Sequence, residues 1–368
     1  MNSPITKPSV DKKGTDCPRS GISKIELQRR DSVRLEIRVF RRWRRKSGLH
    51  LPLKTFDDLS HCDSMKSAKK VWMNGKFVDW KDANVHILTH ALHYGTAIFE
   101  GMRCYETKNG SAVFRMKDHL KRLKNGTKSY QFELNYSIDQ MSGTIKKLIL
   151  INKLKSCYIR PICYIGYHSI GLSTIDAPYE FAIAAIPFGK YFGDKAEKGI
   201  SCSISSWRRI KSTILSPHVK ASANYMNSVL AKREAHDEGF DEAIMLSDDG
   251  HVSEGTGENI FIVRDGELHT PPLHDAVLAG ITRDSLMRLA ADMDIKVNER
   301  SLLRDELYTA DEVFLCGTAA EITPVNQVDH RQVSSGPGPV TKKLKDAFFN
   351  VVNGKDERYI SWLEFVDE

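Results

Sequence analysis

The stretch Ser216-Pro-His-Val-Lys-Ala-Ser-Ala-Asn-Tyr225 carries one lysine, Lys220, set among small residues and an aromatic. No other Lys, Arg, Asp or Glu lies between Lys211 and Lys232. Burying an ammonium is costly, so a lysine in such company points to a covalent use. A desolvated amine attacks an aldehyde readily, which makes a Schiff-base role the reading to test. The alternative is an ordinary surface lysine, and the rest of the sequence decides between them.

Downstream, strand-like runs at 242–247, 251–254, 259–264 and 267–270 are punctuated by Asp249-Gly250 and Asp265-Gly266. That spacing predicts an antiparallel meander. A helix is expected from Thr282 through Leu286, Leu289, Ala290 and Met293, with Thr282 as its N-cap, and another over 341–352, ended by Gly354. Upstream, Asn74-Gly75 between apolar runs predicts a hairpin. Met116, Leu120, Leu123, Thr127 and Tyr130 recur at helical spacing. Strand-like runs follow at 157–165 and 180–186, then Pro187-Phe-Gly-Lys-Tyr-Phe-Gly193 breaks the pattern as a linker between domains. Strands and helices are mixed in both halves, so the fold class is mixed α/β (α+β). The expected parts are a small α/β domain at 71–188, a connecting loop at 189–198 and a large domain at 199–368.

The net charge of +7 is local in origin. Residues 1–70 hold 18 Lys and Arg against 8 Asp and Glu, whereas the other 298 hold 36 against 39. The basic run Arg38-Val-Phe-Arg-Arg-Trp-Arg-Arg-Lys46 allows contact with nucleic acid or an anionic membrane, or a targeting role. Targeting peptides are poor in acids, which this segment is not. A basic, disordered N-terminal extension is the expectation, with Met65 a candidate start ahead of the first globular signal. No apolar run approaches a membrane span; the longest is Phe181-Ala-Ile-Ala-Ala-Ile186. Seven scattered cysteines without a C-x-x-C pair suit reduced thiols in a cytoplasmic protein, not a disulfide framework.

Pyridoxal phosphate asks three things of a protein: an aldehyde-bonding lysine, a partner for the ring nitrogen and an anion cradle. Candidates exist for each. Ser253-Glu-Gly-Thr-Gly-Glu-Asn259 places Glu254 between a strand and a glycine-rich bend, where it could keep a ring nitrogen protonated or be a solvated turn acid. Leu278-Ala-Gly-Ile-Thr-Arg283 runs into a helix start, a favourable place for phosphate. Cys316-Gly-Thr-Ala-Ala-Glu321 offers Thr318 and further N–H donors. His86, His90 and His93 share helical spacing, but no Cys or Asp completes a shell and no metal is expected. Gly255-x-Gly257 lacks the third glycine of a dinucleotide fingerprint.

Leu92-His-Tyr-Gly-Thr-Ala-Ile-Phe-Glu-Gly-Met-Arg103, His119-Leu-Lys-Arg-Leu123, Lys220 with Asn224-Tyr225, Ser253–Asn259, Gly280-Ile-Thr-Arg283 and Gly317-Thr-Ala-Ala-Glu-Ile-Thr-Pro324 together resemble the branched-chain amino acid aminotransferases. These are class IV, fold-type IV pyridoxal-phosphate enzymes with two domains. The resemblance covers about residues 71–368 and leaves the extension unmatched. It implies that Lys220 bonds the cofactor aldehyde and later moves the substrate proton. Glu254 would pair with the ring nitrogen and Tyr225 with the phenolic oxygen. Arg122, the Ile281/Thr282 loop and Thr318 would hold the phosphate, with Leu278 completing the cofactor-binding set. From spacing alone, Arg122 could equally pair with Asp118 on a helix surface.

The same resemblance implies a substrate pocket lined by Phe99, Tyr191 and Tyr225, with Tyr94 and Leu172 reaching over from a partner subunit. Tyr158 and the Thr318–Ala319 N–H groups would take the α-carboxylate, and Arg160 the distal carboxylate of glutamate. Residues 189–198 would be the movable loop. The implied reaction is ping-pong transfer between a branched-chain L-amino acid (leucine, isoleucine or valine) and 2-oxoglutarate, in a homodimer or a trimer of dimers. Phe188, where relatives often carry Trp, and a shortened 166–178 loop bear on side-chain preference. A D-amino acid aminotransferase or an aminodeoxychorismate lyase would share the fold. A nucleic-acid-binding module built on the extension leaves the acidic remainder unexplained.

Overall fold

The computed structural model describes residues 67–168 and 170–366, all within one unit spanning Lys66–Glu368. The basic extension expected over 1–70 lies outside the described residues except for its last four.

Eight antiparallel strands form a first sheet. Its order runs Leu363–Phe365, Gly110–Phe114, Met102–Thr107, Cys157–Ile165, Tyr179–Ile186, Lys70–Met73 and Lys76–Asp79, with Ala97–Phe99 also on 157–165. The Asn74-Gly75 hairpin forms as expected, pairing Met73 with Lys76 across the turn. Cys157–Ile165 is buried on both faces for most of its length, so it shows no polar alternation. The helix Met116–Ser129 lays Met116, Leu120, Leu123 and Thr127 inward, at the spacing read from the sequence. A fully buried leucine such as Leu120 contributes about 2 kcal/mol. The helix Ile138–Ile151 packs beside it, opened by a reciprocal cap between Ser137 and Gln140. Val85–Leu88, strand-like in sequence, forms no strand.

The second sheet has nine strands in the order Val252–Gly255, Glu242–Leu246, Ile200–Arg208, Glu321–Val328, Glu312–Gly317, Asn259–Arg264, Glu267–Thr270 and Val297–Glu299, with Arg331–Gln332 beside 321–328. This corrects the expected meander. The runs at 242–246 and 252–255 pair with each other, as do 259–264 and 267–270, but three strands separate the two hairpins. Parallel pairing of 200–208 with 242–246 is the cause, because it inserts 200–208 and its other neighbour 321–328 between them. Parallel neighbours need a crossover, supplied by the helix Tyr225–Asp237. Lys220 lies in the connection between that strand and that helix.

The helices Ile281–Ala291 and Pro339–Val352 cover the other part of the second sheet, through a core of Phe261, Phe314, Leu286, Leu344 and Phe348. Tyr105, Ala112 and Phe114 of the first sheet belong to the same core, so the two sheets share buried surface. The last strand, 363–365, returns to the edge of the first sheet against 112–114. Residues 187–194 form no strand. Among the described residues, no helix is long and apolar enough to cross a membrane.

Candidate active site

Lys220 is fixed from both sides by backbone. Its carbonyl accepts from Phe99 N–H at 3.1 Å, and Ala221 bridges to Ile98. Asn224, buried behind it, donates to the Ser216 and Val219 carbonyls at 2.9 and 3.0 Å and so closes the loop. The half-buried Nζ donates to Tyr225 Oη at 2.6 Å and lies over the Phe99 and Tyr225 rings. Among the described residues it has no carboxylate partner. The surface-lysine reading does not describe this environment.

Glu254 is buried, not a solvated turn acid. One oxygen pairs with Arg209 at 2.8 Å; the other accepts from Asn259 Nδ2 and Leu278 N–H, both at 3.0 Å. Arg209 escaped the sequence reading, since nothing in Trp207-Arg-Arg-Ile210 marks one arginine as buried and the other as exposed.

The surface pair with Asp118 does not form: Asp118 binds Arg115 at 2.6 Å. Arg122 instead grips Glu100 through Nε at 2.6 Å and Nη2 at 2.9 Å, and donates to the Ala279 carbonyl at 2.7 Å. His119 adds Nδ1 to the same carboxylate at 2.8 Å, with Nδ1 as donor in the tautomer that satisfies both. Burial alone would raise the Glu100 carboxyl, but Arg122 and His119 outweigh it and hold it well below the usual carboxylate range. Burial holds His119 below its ordinary value, against the pull of Glu100. Neither Glu100 nor His119 was assigned a role from sequence.

Opposite Arg122, the helix Ile281–Ala291 begins with its first N–H groups free of intrahelical partners. Its cap is Gly280, not Thr282 as the sequence suggested; a Cβ at 280 would collide with Asn259 Oδ1. Thr282 is thereby left inside the first turn with its hydroxyl uncommitted to capping.

These groups line one cavity. Lys220, Tyr225 and Glu254 line it together with Arg122, Leu278, Ile281 and Thr282, which bring positive charge and helix N–H groups. Tyr158, Thr318 and Ala319 belong to the same lining. Tyr158 Oη occupies the space a side chain at Gly101 would need, so a Cβ there would overlap it. Phe99 stacks beside the cavity on Tyr225, ring centroids 4.9 Å apart. Arg160 lies over Phe99, donates to Tyr158 Oη at 3.3 Å and forms no ion pair among the described residues. A lysine, a buried acid backed by an arginine, and an arginine beside a helix start line one cavity, the donor set that pyridoxal phosphate asks for.

Tyr191 stands on the loop 189–198, which is fastened at both ends. Arg103 donates to the Gly189 carbonyl at 3.2 Å and the Ala319 carbonyl at 3.4 Å, while Lys345 holds Ala196 and Glu197. Tyr94 and Leu172 do not reach the cavity of their own chain. Tyr94 Oη donates to the Ile170 carbonyl at 2.5 Å, and Leu172 is 79% exposed. A second, more open cleft is lined by Val71, Met73, Leu92, Ala97 and Ile162, and neither Tyr94 nor Leu172 is part of its lining. That cleft is apolar and lacks the lysine, acid and anion cradle, so chemistry belongs to the first one. His86, His90 and His93 spend ring nitrogens on nearby backbone or hydroxyl groups, and among the described residues no cluster suited to a metal occurs.

Comparison with known proteins agrees with this geometry. The Amino-transferase class IV family profile matches residues 97–328. A branched-chain-amino-acid aminotransferase of Escherichia coli (strain K12) is 45% identical over 307 residues, 82% of this chain and 99% of that protein. A crystal structure of the Escherichia coli branched-chain amino acid aminotransferase superposes with a TM-score of 0.80 at 44% identity, covering 82% of this chain and all of that one. The branched-chain amino acid aminotransferase of Thermobaculum terrenum, in its PLP-bound holo-form, gives 0.77 at 36% identity over 82% of this chain and 99% of that one. With a lysine, a buried acid and an anion cradle facing one cavity, and relatives matched along nearly their whole length, the chain belongs to the class IV aminotransferases, among the branched-chain-amino-acid aminotransferases.

Proposed function

We propose that this pyridoxal-phosphate enzyme moves the amino group of branched-chain L-amino acids to 2-oxoglutarate, with Lys220 as its covalent and proton-moving residue. The convergence of Lys220, the Arg209-backed Glu254 and the Arg122/Ile281–Thr282 cradle on one cavity carries this reading. When bound, the cofactor supplies an aldehyde to hold the amine and a ring to take up electrons from the substrate Cα–H bond. Lys220 Nζ would hold the cofactor through its aldehyde and, as a free amine, would take the proton from the substrate Cα and return it. Tyr225 Oη steadies Nζ at hydrogen-bond distance. Glu254, its charge matched by Arg209, keeps the ring nitrogen protonated. Arg122, Leu278, Ile281, Thr282 and Thr318 hold the phosphate.

Tyr158 Oη and the Thr318 and Ala319 N–H groups receive the α-carboxylate. Arg160, without an acid of its own, takes the distal carboxylate of 2-oxoglutarate, while Phe99, Tyr191 and Tyr225 receive the aliphatic side chain. The loop 189–198, between a small domain at 71–188 and a large one at 199–368, closes over the substrate. A second chain brings Tyr94 and Leu172 to the site, in a dimer or a trimer of dimers, and covers the apolar cleft. Buried, unpaired Cys104, Cys157, Cys163, Cys202 and Cys316 accord with a cytoplasmic location.

The test is optical. L-leucine bleaches the visible cofactor band and 2-oxoglutarate restores it; D-alanine does neither. Lys220→Ala folds but shows neither response, and a variant that still turned over would remove Lys220 from the role. Mixing Tyr94→Ala with Lys220→Ala after subunit exchange regains activity if sites are shared between chains.

A further inference from the structure

Three buried carboxylates, the buried Arg209 and the half-buried Lys232 lie close together. Arg209 matches Glu254 at 2.8 Å, and Lys232 matches Glu242 at 2.5 Å. Glu242 has two further donors, Thr256 Oγ1 at 2.7 Å and Ala243 N–H at 2.8 Å. Glu258 is left over. It is 5% exposed, forms no ion pair among the described residues, and accepts from a single donor, Gly257 N–H at 3.1 Å. A buried carboxylate without a cation takes up a proton rather than bear its charge. Its side chain lines the cavity together with Tyr158, Thr318 and Ala319, and its Cγ would sit 3.8 Å from a Cβ at Gly317. Tyr158 takes a hydrogen bond from Arg160, and Tyr191 of the loop feels the Glu258 charge, so Glu258 adjoins the residues proposed to receive the substrate side chain.

We propose that Glu258 is carried as a neutral carboxylic acid and determines specificity: protonated, it lets the pocket accept aliphatic and acidic side chains alike, and ionised, it turns acidic ones away. This rests on the reading that one site serves both kinds of side chain. Burial first, and Glu242 second, push the Glu258 carboxyl up to about 8. The groups facing it come from every neighbouring element: Lys232 on the helix 225–237, Glu242 and Glu254 on their strands, Cys202 and Cys316 on theirs, and Tyr191 on the loop. Of these only Lys232 favours the ionised form, and Glu242 already occupies it. Loss of the proton to solvent leaves a negative wall beside the site of a second carboxylate. Like charges set together cost enough to lower the glutamate-to-leucine ratio roughly ten-fold or more.

The ratio of kcat/KM for L-glutamate to that for L-leucine is measured on the holoenzyme from neutral to alkaline pH. The expected ratio falls around pH 8 in the wild-type protein and stays level in Glu258→Gln. In Glu242→Gln, Lys232 is freed to pair with Glu258, and the fall moves to lower pH. Infrared spectra give a readout independent of turnover: a carboxylic-acid carbonyl band present at neutral pH, lost on alkaline titration and absent from Glu258→Gln. A ratio that falls alike in the wild type and Glu258→Gln overturns the proposal, as does a neutral spectrum in which Glu258→Gln removes no such band. Failure to turn over glutamate or leucine at any pH refutes the functional reading instead, and the infrared band still decides the state of Glu258.

Discussion

Glu100 receives Arg122 through two hydrogen bonds of 2.6 and 2.9 Å while wholly buried, so the arginine proposed to meet the phosphate is aimed by an acid on a different element. Glu100→Gln leaves the guanidinium without its counter-charge. The expected loss is about 3–5 kcal/mol of stability, from breaking a buried pair at one side. Cofactor release becomes about ten-fold easier, since a misaimed fork loses roughly 1.4 kcal/mol. Equilibrium dialysis of the cofactor and thermal unfolding check both. Because the folded protein holds the Glu100 carboxyl below its ordinary 4.5, its contribution is complete above that value and is lost as pH falls. His119, held below its ordinary 6.5, acts in the same direction. The difference between wild type and Glu100→Gln therefore narrows in acid.

Gly101 is the residue whose absent side chain makes room for Tyr158. Gly101→Ala drives its methyl into Tyr158 Oη and Cζ, and the ring must leave. The α-carboxylate then loses one donor, and KM for the amino acid rises about ten-fold, the equivalent of one hydrogen bond of about 1.4 kcal/mol. Cofactor affinity, set by other residues of the cavity, changes little. A rise in cofactor dissociation equal to the rise in KM would contradict this separation.

Arg103 fastens the start of the loop 189–198 to the carbonyl of Ala319, in the turn proposed to receive the α-carboxylate. It also pairs with Glu321 at 3.4 Å and stacks on Phe188 and Tyr105. Arg103→Ala frees the loop, and limited proteolysis should cut between 189 and 198 faster than in the wild type. KM rises for both substrates together, while the visible spectrum of the resting enzyme is unaltered. Arg103→Lys restores little, because an ammonium cannot reach two carbonyls in the planar fork geometry.

Glu258 also has a signature in stability. Its folded carboxyl titrates near 8 against an ordinary 4.5, so the folded state holds a proton that the unfolded chain releases between those values. Stability from this group is full below about 4.5 and is lost as pH rises towards 8. Glu258→Gln is consequently the more resistant protein to alkaline unfolding, by denaturant titration on either side of that window. A wild type whose alkaline stability matched the variant's would contradict it.

Local features were legible in the sequence wherever one element reports on itself. The four-three spacing from Met116 gave a helix with those residues inward, and Asn74-Gly75 gave a hairpin. What periodicity does not carry is which strand lies beside which. The runs at 242–246 and 259–264 look alike, yet parallel pairing with 200–208 sends them to different parts of the sheet. The site shows the same division. Lys220, Glu254 and Thr318 sit in distinctive motifs, and they line the cavity. Arg209, Glu100 and His119 act through partners on distant or separate elements, and a charge reveals nothing of its burial until the partner is in place. Thr282 failed as a cap for a local reason: Asn259 crowds position 280, so the helix starts where only glycine fits.

The strand 363–365 closes the edge of the first sheet against Gly110–Phe114, and Trp362 and Val366 extend the seam through bonds with Arg115 and Ser111. During synthesis that edge must wait for residues 363–366 to leave the ribosome, long after its neighbours have been made. Until then the nascent chain offers an unpaired ladder of the kind that recruits other chains. A chain cut before residue 363 thus endangers solubility before it touches chemistry.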